Sequence, residues 1–126
     1  MKKADWSTLL ALAEEEVRAL LKSLPASLQD EARRLPVSFE TVPSPEQVAD
    51  HVEPDTLGLF LGDAFADAEQ SLQPLPPQIV LFLENLWDFA EGDPLAYRQE
   101  IRRTYLHELG HYLGLDELDL EDRELD

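Results

Sequence analysis

The chain has 126 residues and no cysteine, enough for one compact domain, too few for two separate cores, and unable to form a disulfide scaffold. Its 10 Lys plus Arg against 27 Asp plus Glu give a formal net charge of -17, which opposes phosphate backbones and anionic lipid surfaces and so argues against nucleic acid and membrane as partners. A hydrophobic fraction of 44% is that of a globular chain rather than a disordered acidic one. Two lysines follow Met1, but Asp5, Ser7 and the run Glu14, Glu15, Glu16 interrupt every apolar stretch behind them. Neither a signal peptide nor a transmembrane helix is expected, and the default location is cytoplasmic. The absence of cysteine, a single asparagine (Asn85), no methionine beyond Met1 and nine prolines fit a thermophilic source.

Over residues 6–24, Trp6, Leu9, Leu10, Ala13, Val17, Leu20, Leu21 and Leu24 follow the i, i+3, i+4, i+7 spacing of an amphipathic helix, which Pro25 ends. A second short helix is predicted over 27–34, stopped by Pro36. The period then changes from 3.6 to 2: residues 37–42 alternate as a half-buried strand does. Ser44, Pro45 and Gln47 read as an N-cap, a proline at the first helical position and a capping-box glutamine, so a short helix should run to about Val52. Two apolar runs, 56–61 and 78–83, read as strands; the acidic and then proline-rich stretch 62–77 between them is the candidate for a mobile loop or flap. A short apolar turn or helix passes through Trp87 and Phe89, both core or rim aromatics, as is Trp6. Gly92, Asp93 and Pro94 then supply a loop, an N-cap and an N1 proline for a long helix over 94–113. The order α, α, β, α, β, β, α defines a single α+β domain with few strands.

Inside the last helix stands His107-Glu108-Leu109-Gly110-His111, an H-E-x-x-H sequence. Imidazoles at i and i+4 lie on one face about one turn apart, so both can reach one Zn²⁺. Glu108 is rotated by about 100° from His107 and borders the metal face, the position of a general base for a bound water. Stepped around the helix, Ile101, Tyr112, Tyr105, Leu109, Leu113 and Leu106 fill one arc, the expected core face. Arg103, Gly110, Gly114, His107, His111 and Thr104 fill the opposite arc, so the histidines face away from the core and the glycines beside them leave space. The competing reading is a pair of solvated helix histidines with no metal.

A catalytic zinc site needs a third protein ligand and one open position. Gly114 can end the helix and turn the chain back, and beyond it stand Asp116, Glu117, Asp119, Glu121 and Asp122. Glu117 is the tenth residue after His107 and ranks first; Asp116 ranks second. The remaining acids read as a solvated tail. Arg103, Tyr97 and Tyr112 are near enough in sequence to stabilise an oxyanion, although Tyr112 falls on the apolar arc and Arg103 is equally suited to an ion pair. His51, the third histidine, reads as a surface or helix-end residue.

With these residues in view, the chain resembles the zincin superfamily, and more closely a group of small bacterial zincin-like metallopeptidases. Glu100-Ile101-Arg102-Arg103-Thr104 leading into His107, with Gly114-Leu115-Asp116-Glu117 behind His111, is similar to that group's helix pattern. Leu57-Gly58-Leu59-Phe60 and Gln78-Ile79-Val80-Leu81-Phe82 resemble its two central strands, while residues 6–24 match less well. The resemblance implies a minimal zincin-like domain over 1–126, with a small mixed three-stranded sheet packed against an active-site helix and N-terminal helices. It also implies one Zn²⁺ per chain held by His107, His111 and Glu117, with Glu108 as base, and a peptide or protein substrate extended against an edge strand. The chain departs from larger zincins in having no methionine turn and little room for a second ligand-bearing helix after His111. Two further readings are a non-catalytic zincin-like module that binds metal and a partner protein, and a metal-free acidic interaction domain.

Overall fold

The computed structural model describes residues 4–62 and 77–113. Its elements are α1 (Trp6–Ser23), α2 (Ala26–Arg33), β1 (Val37–Glu40), α3 (Pro45–Ala49), β2 (Gly58–Leu61), β3 (Gln78–Phe82), α4 (Leu83–Phe89) and α5 (Pro94–Leu113). The three strands form one mixed sheet in the order β1-β3-β2, with β1 parallel and β2 antiparallel to β3. The domain is therefore α+β, as its sequence predicts. One expectation is corrected: only β3 is central. Among the described residues the segment carrying Gly58 and Phe60 is an edge strand, with β1 on the opposite side of β3. The predicted flap falls almost wholly on residues 63–76, outside the described residues.

The helix boundaries follow from local chemistry. At α3 the Ser44 side chain accepts from the Gln47 N–H at 3.1 Å, and the Gln47 side chain accepts from the Ser44 N–H at 2.8 Å, a complete capping box. The helix ends earlier than its pattern predicts, and His51 takes a left-handed backbone (φ 73°) at the exposed turn that follows. Ahead of α5, Glu91 (φ 56°) and Gly92 (φ 74°) turn the chain, and the Asp93 carboxylate accepts from the Ala96 N–H at 3.4 Å.

The core is built from one stripe of α1 (Leu9, Ala13, Val17, Leu20), all of β3 beyond Gln78, and α5 residues Tyr97, Ile101, Tyr105 and Leu109. Tyr97 locks α5 to α1: its buried hydroxyl donates to the Leu9 carbonyl at 2.8 Å, and its ring stands edge-on to Trp87 with centroids 5.4 Å apart. On the surface of the same contact, Arg98 reaches Glu15 at 3.3 Å and Glu16 at 3.2 Å. Trp6 and Phe89 lie at the rim, exposed, while Trp87 is buried. Asn85 in α4 donates to the carbonyls of Pro54 (2.8 Å) and Thr56 (2.9 Å), fixing the approach to β2. Among the described residues no helix is long and apolar enough to cross a membrane.

Candidate metal centre

The C-terminal half of α5 carries the site, and β2 covers it from one side. The nitrogen atoms of His107 and His111 and the carboxylate of Glu108 lie within 4.8 Å of one another. The two imidazole rings have centroids 4.6 Å apart, as the i, i+4 spacing requires. His111 is exposed and His107 half-buried, whereas Glu108 is only 7% exposed. His111 Nδ1 stands 3.2 Å from Glu108 Oε1.

Glu108 is buried because β2 lies against α5. Phe82 N–H donates to the Leu57 carbonyl, which fixes Leu57, Leu59 and Leu61 as the residues whose backbone groups face β3. The backbone groups of Gly58 and Phe60 therefore point to the outer edge, where the Phe60 N–H donates to the Glu108 carboxylate. Burial lifts the Glu108 carboxyl above the ordinary carboxylate range; the His111 and His107 imidazoles and these hydrogen bonds oppose that rise without cancelling it.

The close approach of the two elements has a local cause. Gly58 lies directly over Thr104, so that a Cβ at position 58 would overlap Thr104 Cγ2. Below this contact Phe60 packs on Tyr112, with ring centroids 5.9 Å apart. On the arc that faces away from the core, Thr104 and Gly110 are nevertheless buried, as is Glu108 at its border. Sequence reading missed Phe60 and Gly58 as parts of the site. The available signal was a glycine inside a strand pattern, which marks close backbone approach.

The family model for zincin-like metallopeptidases matches residues 32–126, most of the chain. The chain belongs to the zincin-like metallopeptidase family. No curated protein matches it. The family match starts inside α2 and leaves out α1, the segment whose sequence resembles the group least.

Within this zincin-like domain the donor set fits a metal ion, since two imidazoles and a buried carboxylate offer ligand atoms within 4.8 Å of one another. Glu117 and Asp116, the ranked third ligands, lie outside the described residues. The three oxyanion candidates are not brought to the site as catalytic groups. Tyr97 is committed to Leu9 in the core, Tyr112 is buried against Phe60, and the exposed Arg103 pairs with Glu100 at 3.5 Å. His51 is on the surface and does not join the cluster.

Proposed function

We propose that the protein is a zinc-dependent peptidase in which Glu108 is the general base. The observation that carries this reading is the placement of Glu108, buried beside two imidazoles and held by the backbone of an edge strand. His107 and His111 would hold the ion, with Glu117 as third ligand, one Zn²⁺ per chain. Bound there, zinc would supply Lewis acidity that favours ionisation of water and polarises the scissile carbonyl.

The chain's own residues supply the rest. A Glu108 carboxylate oxygen takes a proton from the attacking water as its oxygen bonds to the carbonyl carbon. The same oxygen returns that proton to the amide nitrogen as the C–N bond breaks. Burial suits the carboxylate to this shuttle, because it raises its proton affinity towards neutrality. The Phe60 N–H donates to the carboxylate from the side of β2. An extended peptide or protein segment is the substrate, lying beside β2 and using outward-facing backbone groups of that strand.

A second reading has one observation in its favour. All three donor atoms lie within 4.8 Å, so Glu108 can itself be a ligand in a closed, non-catalytic centre that serves a partner-binding module. The variant Glu108→Gln separates the two. As a base, Glu108 is dispensable for metal: the variant keeps about one zinc per chain and loses about 10²- to 10⁴-fold in peptide cleavage. As a ligand it is needed, and the variant loses zinc. Elemental mass spectrometry and a fluorogenic peptide library read both outcomes.

A further inference from the structure

The opposite edge of the sheet carries an unassigned feature. A groove of about 360 Å³ runs between α1, α2 and β1, floored by Leu21, Leu35, Val37 and Phe39. Its rim carries Arg18 and Arg33, with Glu14 as the one acid. Both arginines are exposed, and neither forms an ion pair among the described residues, as Arg34, Arg98 and Arg103 do and Arg102 does not. In a chain of net charge -17, this is a local positive lip on an apolar trough.

Among the described residues the groove is also bordered by free backbone. The Ile79 N–H donates to the Pro36 carbonyl at 2.9 Å, so in this parallel register β3 engages Pro36, Ser38 and Glu40. The N–H and C=O groups of Val37 and Phe39 point away from β3 along the open edge, while their side chains line the groove. An unpaired edge beside half-buried apolar residues is a template for one more strand.

We infer that the juxtaposition of the β1 edge, the apolar floor and the Arg18 and Arg33 lip is a docking site for an extended partner segment that presents apolar and acidic residues on the same face. Both kinds must share one face, because successive side chains of an added strand point to opposite sides while the floor and the lip line the same groove on one side of β1. A second copy of the chain is a poor occupant. Two β1 edges pairing about a two-fold axis would bring like-charged lips together, and each copy carries the same net charge of -17. The site lies two strand spacings, about 10 Å, from the β2 edge and does not depend on the metal.

The test uses the full chain and a fluorescein-labelled decapeptide with Leu and Glu in turn at every second position and Thr between them, with the same peptide carrying Lys for Glu as control. The acidic peptide should bind saturably in an anisotropy titration, and Arg18→Glu with Arg33→Glu should weaken it tenfold or more. Both positions are exposed, so the variant should keep the parent melting temperature. Amide shifts should move at Val37 and Phe39. Several results would overturn the assignment: no saturable binding, an affinity unchanged in the double variant, equal binding of the lysine peptide, or shifts confined to Phe60. So would displacement of the peptide by self-association of the chain.

Discussion

The Phe60 backbone N–H and the Glu108 carboxylate are hydrogen-bonded across two elements that are remote in sequence, one an edge strand and the other the motif helix. The bond exists because Gly58, two residues earlier on the same side of β2, has no side chain to hold the strand off Thr104.

Gly58→Ala tests that dependence. The added Cβ overlaps Thr104 Cγ2, and overpacking of this kind costs about 1–3 kcal/mol. Thr104→Ser removes the Cγ2 and keeps the hydroxyl, so the double variant should recover most of the loss. Urea midpoints of the four proteins measure the coupling. Strictly additive effects would show that the contact does not set the spacing.

His111→Ala separates metal binding from folding. The side chain is 52% exposed, so its removal leaves the core packed, and the metal-free variant should lose only its contact with Glu108, about 1 kcal/mol. Zinc should raise the melting temperature of the parent and leave that of the variant unmoved. Equal thermal shifts in both proteins would exclude His111 as a ligand.

Two buried tyrosines predict opposite responses to loss of a hydroxyl. Tyr97 donates to the Leu9 carbonyl at 2.8 Å, so Tyr97→Phe should destabilise by about 1 kcal/mol. The Tyr105 hydroxyl is buried with no hydrogen-bond partner among the described residues. Tyr105→Phe should therefore be neutral or stabilising by up to about 1 kcal/mol. Denaturant titration distinguishes the two signs.

The same residues predict a loss of stability in alkali. A phenol in an unfolded chain ionises near pH 10. Burial pushes Tyr105 up to about 12 and moves Tyr97 in the same direction. Below pH 10 both states keep these protons and the full stability is present. Between about 10 and 12 the unfolded chain releases protons that the folded chain retains, so stability falls as pH rises, by about 1.4 kcal/mol per pH unit for each tyrosine. Urea midpoints from pH 8 to 11.5 should show the decline, with a shallower slope in Tyr97→Phe.

What the sequence determined by itself was local. The stripe of α1, the Ser44 capping box, the Asp93-Pro94 start of α5 and the one-turn spacing of His107 and His111 depend only on residues within a few positions of one another. Periodicity and capping report such relations directly. Tertiary structure decided which neighbours cover each face. The histidine arc of α5 faces away from the core on a helical wheel, yet Thr104 and Gly110 are buried there, as is Glu108 at its border. The reason is that a strand nearly fifty residues earlier pairs as an edge in the order β1-β3-β2 and closes over them. Strand order is fixed by long-range pairing on both sides of β3, and no local pattern in Gly58–Leu61 distinguishes an edge from a centre. Sequence identified the residues that can hold a metal, and packing set the depth, hydrogen bond and proton affinity of the carboxylate beside them.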